Sequence, residues 1–174
     1  MAGGTGRVLA RKLGDDVFFR ICGHVTAHCC PAMRQFAEQK LAAGANRVFV
    51  ELAECTYFDS TFLGTLLGLA KQPCLKSAGG LQLCAPSPQS LQILKQMSVQ
   101  SYFPIAAEPA EPTLDDWQEL PADIDARNTL PFKENVVRAH QELAAVPGPL
   151  SSRFQAIADV CRQELEGAPE NSGD

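Results

Sequence analysis

Between Arg7 and Ile105 the chain alternates short β-branched or aromatic runs with segments of helical spacing, and this alternation constrains the fold more than any other feature. Arg7 to Leu13 and Val17 to Cys22 are strand-like and flank Gly14-Asp15-Asp16, so they read as a hairpin, with Gly23 closing the second run. Met33, Phe36, Ala37 and Leu41 then recur at helical spacing, with Pro31 in the first turn and Gly44 as the stop. Arg47 to Leu52 is a strand rich in β-branched and aromatic residues. A second helix opens at Ser60 and runs to about Lys71, where Pro73 prevents its extension. Leu81 to Ala85 is the next strand, Ser87-Pro88 opens a helix carrying Leu91, Leu94 and Met97, and Tyr102 to Ile105 is a short last strand. The order β-β-α-β-α-β-α-β is a mixed α/β fold whose helices follow strands, and crossovers of that length imply a sheet that is largely parallel at its centre.

Past residue 105 the texture changes. The expected organisation is a domain over residues 1–105, an acidic, Pro-rich linker over 106–131, a helical hairpin over 132–167 and a disordered tail over 168–174. Phe132, Val136, His140 and Leu143 mark the apolar face of the first hairpin helix. Leu150, Phe154, Ile157, Ala158, Cys161 and Leu165 mark that of the second, and Pro147-Gly148-Pro149 joins the two. A helix pair this small has little core of its own, so it should dock on the main domain or on a partner.

Charge divides the same way. Residues 1–105 hold ten Lys/Arg against six Asp/Glu (+4), and residues 106–174 hold five against fourteen (−9), which gives the net −5. Such a chain lacks the clustered basic stripe of a nucleic-acid binder, while its acidic tail can lie against its own domain or a basic partner. The longest apolar run, Phe62 to Ala70, is far short of the roughly 20 residues a membrane span needs. No signal peptide is visible at Met1-Ala-Gly-Gly-Thr-Gly6, so a cytoplasmic protein, monomeric or weakly dimeric, is expected. The seven cysteines are an odd count, mostly set among apolar neighbours, and read as reduced thiols that pack as small hydrophobes. A metal site from His24, His28, Cys29 and Cys30 is disfavoured, because adjacent cysteines rarely share a metal and no CxxC pair is present. No metal and no cofactor is expected.

The most informative stretch is Asp59-Ser60-Thr61-Phe62-Leu63-Gly64, which leads from a strand and a short apolar segment into the second helix. Ser60 is a natural N-cap, and on residue chemistry alone a hydroxyl at a helix start is first of all a cap. Leu63, Leu66, Leu67 and Ala70 form the buried face, while Gly64 and Gly68 lie four apart on another face and permit a close backbone approach. This segment resembles the signature of the STAS family, the anti-sigma factor antagonists, whose members carry Asp-Ser-[Ser/Thr]-Gly-[Leu/Val]-Gly at the start of the second helix. Gly23-His24-Val25-Thr26 is similar to the family's Gly-Glu-Leu-Asp turn, and Gly80-Leu-Gln-Leu-Cys-Ala-Pro86 to its Gly-x-Leu-x-Leu-x-x-Pro strand. The similarity spans about residues 7–105.

The resemblance implies a STAS-like mixed sheet with helices packed on it, no enzymatic activity, and a phospho-switch centred on Ser60, with Thr61 the runner-up acceptor. An anti-sigma factor that is also a serine kinase of the partner-switching type would be bound while Ser60 is unmodified and released once it is phosphorylated. The implied partner-binding residues are Asp59, Ser60, Thr61, Phe62, Gly64, Thr26 and His24. A phosphoserine would place nearly two negative charges at a positive helix terminus, which the domain tolerates and a docked acidic partner does not. Two departures bear on the partner. Phe62 stands where the family has Gly, as a core plug or an exposed anchor, and Thr26 and His24 replace two acidic residues in the partner-contacting turn. The alternative is a constitutive STAS subunit of a signalling or ABC-transporter complex without phosphorylation. A third expectation is that the acidic tail covers the Ser60 face. His24 or His28 paired with Cys29 or Ser60 as a nucleophile has no supporting motif, and His140, on an apolar stripe, reads as packed or interfacial.

Overall fold

The computed structural model describes residues 5–76, 80–110 and 115–167, so the 168–174 tail lies outside the described residues. The elements are β1 (Arg7–Leu13), β2 (Asp16–Val25), α1 (Cys30–Ala42), β3 (Arg47–Glu51), β4 (Cys55–Phe58), α2 (Ser60–Ala70), α3 (Pro73–Lys76), β5 (Leu81–Cys84), α4 (Pro88–Gln96), β6 (Ile105–Ala106), β7 (Gln118–Leu120), α5 (Leu130–Ala144) and α6 (Ser151–Glu166). The strands form one mixed sheet in the order β6-β5-β3-β2-β1-β7, with β4 off this path and paired to β2. β1 and β2 are the expected antiparallel hairpin, and Gly14, at φ 58, takes the turn between them at no steric cost. β2, β3, β5 and β6 run parallel, each step made by a helical crossover of the expected length.

One face of the sheet carries the core. Val8 and Ala10, Val17, Phe19 and Ile21, Val48 and Val50, and Leu81 and Leu83 alternate along their strands and join Met33 and Ala37 of α1, Leu63, Leu66 and Leu67 of α2 and Leu94 of α4 in one cluster. The alternate residues face the other way. There Phe18 stacks on Phe49 at 5.1 Å, Arg20 pairs with Glu51 at 3.1 Å, and the Arg20 guanidinium lies 4.6 Å from the Trp117 ring. α5 packs on α2, and α6 packs on α5, so the C-terminal hairpin forms a second helical layer.

Three local differences from the sequence reading have physical reasons. β2 continues past Gly23 to Val25, because Gly23, at φ 72, bends the strand at a register shift where β4 joins it. The segment read as linker contains β7, which pairs antiparallel with β1 through Val8↔Leu120 and covers an edge that would otherwise expose free backbone groups. Tyr102 closes a 3-10 turn, and the last parallel strand is only Ile105–Ala106.

Candidate functional site

β4 brings the pieces of the site together. By pairing parallel with the end of β2, with His24 opposite Tyr57 and Val25 opposite Phe58, it delivers the chain directly to the start of α2. The exposed His24 ring stacks on Tyr57 at 4.3 Å. Asp59, not Ser60, is the N-cap of α2: its Oδ1 accepts the Phe62 backbone N–H at 2.9 Å. Its Oδ2 accepts the Ala27 backbone N–H at 2.8 Å, so one carboxylate fastens the turn after Thr26 to the helix start. Asp and Ser are about equally good caps, and Asp59 wins because it alone can serve both amides.

Ser60 is therefore the first helical residue, half-buried, with its hydroxyl free of capping duty. Its Oγ lies 3.2 Å from Nε2 of His140, on α5. The His140 Nδ1 lies 2.8 Å from the Val136 carbonyl oxygen, which can only accept, so Nδ1 carries a proton. In the neutral ring Nε2 is then the acceptor, and the Ser60 hydroxyl donates to it. His140 is 5% exposed and faces the Phe154 ring of α6 at 6.1 Å. Beside the hydroxyl, Ser60 borders a groove of about 330 Å³ whose walls include Tyr57, Ile93, Met97, Arg153 and Phe154.

Thr61 and Phe62 point inward. Thr61 is 5% and Phe62 0% exposed, and Phe62 meets Phe58 at 5.5 Å, so of the two readings of Phe62 the structure carries the core plug, not the anchor. Gly64 is occupied within the chain itself: a Cβ there would fall 2.1 Å from the Ala139 carbonyl oxygen of α5. With the hairpin docked, Thr61, Phe62 and Gly64 present no surface to a partner, whereas His24 does, and Thr26 is half-buried. Further along the α2–α5 seam, the buried Arg34 donates from Nε to Asn135 Oδ1 at 2.7 Å, and Asn135 donates to Thr65 Oγ1 at 3.3 Å. Burial, and then the nearby Arg138, pull the Arg34 pKa below its ordinary value. Burial likewise pushes the Cys29 and Cys30 thiols up, which keeps them protonated and unreactive near neutral pH. Among the described residues no group of three or more His, Cys, Asp or Glu side chains can hold a metal ion. His28 is turned away, stacked on Phe132 at 5.2 Å. The pairing of Ser60 with His140, and Arg153 near it, were missed in the sequence; the one trace was a histidine standing on an apolar helical stripe.

A sheet with parallel centre, helices on one face and Asp-Ser at the start of the second main helix defines the STAS class of α/β domains. A family model described as "Mlab, STAS domain" matches residues 8–104, and the chain belongs to the STAS domain family. α5 and α6 lie beyond the matched residues. Among solved structures, the chain is similar to the Thermotoga maritima protein TM1081, a putative anti-sigma factor antagonist, by NMR (TM-score 0.50, 19% identity, covering 57% of this chain and 79% of that one). It is also similar to the Bacillus anti-sigma factor antagonist SpoIIAA in its unphosphorylated form (TM-score 0.49, 19% identity, 57% and 87%). An anti-sigma factor antagonist from Mycobacterium paratuberculosis is a third (TM-score 0.47, 18% identity, 64% and 90%). No curated protein matches the chain. Among the described residues no helix is long and apolar enough to cross a membrane.

Proposed function

We propose that this chain is the non-enzymatic phospho-switch of a partner-switching pair: it binds an anti-sigma factor with serine-kinase activity while Ser60 is unmodified and releases it once Ser60 is phosphorylated. The observation that carries this reading is the Ser60 hydroxyl, set free of capping by Asp59 and opening on a groove at the first residue of α2. Family membership and the anti-sigma factor antagonists among similar structures indicate the partner's class by analogy. In the modification step the Ser60 oxygen bonds to the γ-phosphorus of ATP held by the kinase, ADP leaves, and the hydroxyl proton passes to a base of the kinase. The phosphoserine then carries about −1.5 to −2 charge at the amino end of α2, where the helix dipole favours it and an acidic partner surface does not. Cytoplasmic action follows from the partner proposed. Phosphopeptide analysis of the protein isolated from its own cells, in growth and in stress, tests the reading. A phosphate on Ser60 that varies with condition is expected; Ser60 unmodified in every condition overturns it.

A second reading, a constitutive STAS subunit of a signalling or ABC-transporter complex, is favoured by one observation. The Ser60 hydroxyl already has an intrachain partner in His140, under the cover of α5 and α6. Unmodified Ser60 together with stable co-purification of one partner in all conditions is the outcome this reading expects.

A further inference from the structure

We infer that the C-terminal hairpin binds the phosphoryl group of phosphorylated Ser60, through His140 of α5 and Arg153 of α6, and so is held more tightly over the start of α2 when the switch is set. The inference rests on the reading of Ser60 as a phospho-acceptor. Ser60 Oγ is 3.2 Å from His140 Nε2, and Ser60 also borders an open groove of about 330 Å³ into which a phosphoryl group can project. Once esterified, Oγ has no proton to donate to Nε2. The imidazolium form of the ring, which has a donor on each nitrogen, bonds a phosphoryl oxygen through Nε2 while Nδ1 keeps its bond to the Val136 carbonyl.

Arg153 supplies the second cation. It borders the same groove from α6 and, among the described residues, makes no ion pair or hydrogen bond. An arginine so placed has its fork free for a phosphate. Among the described residues Asp59 is the one acid on the groove wall, and both of its oxygens are engaged by backbone N–H groups, so the fixed charge that meets the phosphate is offset in part. The remaining wall is largely apolar, with Ile93, Met97, Phe154 and Ile157, which strengthens a charge-assisted bond relative to one in open water. The two donors come from different helices of one hairpin, so the phosphate ties α5 and α6 to α2 at a single point. In this account phosphorylation tightens a hairpin that already lies over the Ser60 face, so a partner can no longer displace it, and charge repulsion adds to that exclusion.

The test uses the full chain with phosphoserine encoded at position 60, which needs no kinase and is therefore independent of whether Ser60 is modified in cells. Backbone amide exchange of residues 130–166 is compared with that of the unmodified chain. Phosphoserine is expected to slow exchange in α5 and α6 by about tenfold or more, the effect of one or two charge-assisted hydrogen bonds on local opening. In Arg153→Gln, phosphoserine should slow exchange distinctly less, measured against that variant's own unmodified form, and Arg153→Lys should recover part of the gain. Exchange that is equal or faster in the phosphoserine chain, or a gain fully kept in Arg153→Gln, overturns the inference. Absence of phosphate on Ser60 in cells overturns the switch instead and leaves this result standing.

Discussion

α2 is held on its two sides by different physics. Toward the sheet it presents Leu63, Leu66, Leu67 and Leu69, all 2% exposed or less, and Phe62 at 0%. Toward α5 it presents Gly64 and Gly68, and the seam carries polar pairs: Ser60 with His140, Thr65 with Asn135 (itself bonded by Arg34), and Lys71 with Glu142. α6 buries only Phe154 and Ala158. Apolar burial of the first kind is indifferent to charge, whereas a glycine-and-polar seam can be tightened or loosened by one charged group. The sheet side is closed by apolar packing, whereas on the hairpin side Leu143, Val146 and Phe154 reach the same core beside a seam of polar pairs.

The largest expected effect breaks the comparison on its strong side. Phe62→Ala removes a fully buried ring and should cost about 3–5 kcal/mol in the global denaturant transition. Phe154→Ala, on α6, should leave that transition within about 1 kcal/mol while abolishing amide protection in α6, since it strips one of only two buried side chains of that helix. Equal global losses from both would mean that hairpin and core unfold as one unit.

Next comes Gly64→Ala. Its Cβ would stand 2.1 Å from the Ala139 carbonyl oxygen, a backbone atom that can retreat only by moving α5. An overpacking cost of about 1–3 kcal/mol is expected, read as lost exchange protection over residues 130–166 with the sheet still protected. Retained protection in α5 would show that the seam is looser than the backbone approach implies. Asn135→Ala follows at about 1–3 kcal/mol in the same readout, because it leaves the buried Arg34 Nε without its acceptor. Arg34 is badly placed to recover, since its Nη2 is already buried without a hydrogen-bond partner.

Much of this architecture was legible in the sequence, and the gaps have specific causes. The β1–β2 hairpin, α1, α2, β3 and β5 announce themselves through periodicity and through Gly14, Pro31 and Pro73. β4 was not seen, because Cys55-Thr-Tyr-Phe58 is four residues bounded by no turn signal. β7 was not seen either: Gln118-Glu-Leu120 is polar, and only pairing with the β1 edge makes it a strand. The cap was misplaced by one residue, since Asp59 and Ser60 are both good caps and only the tertiary bond to Ala27 separates them. Ser60 and His140 are 80 residues apart, beyond any local pattern. Yet the docking of the hairpin left a trace. From Ser60 to Ala70 there is no charged residue on any face, and a helix apolar all round must be covered on both sides.

The smallest effect sharpens the comparison along the seam itself. Gly68 is one turn from Gly64, but the atoms nearest a Cβ there are Arg34 Nη2 and Glu142 Cγ, both at 3.4 Å and both in flexible side chains. Those atoms can give way, and alanine in a helix interior is favoured over glycine by about 0.5–1 kcal/mol. Gly68→Ala is therefore expected to be neutral or stabilising by up to about 1 kcal/mol, measured by denaturant melts and by exchange in α5. The contrast with Gly64→Ala is the informative quantity. Opposite signs at two glycines one turn apart would locate the backbone contact at the Ser60 end of α2, next to His140. A loss at Gly68 as large as that at Gly64 would spread the tight contact along the whole seam and remove the reason for treating the Ser60 end as the point of control.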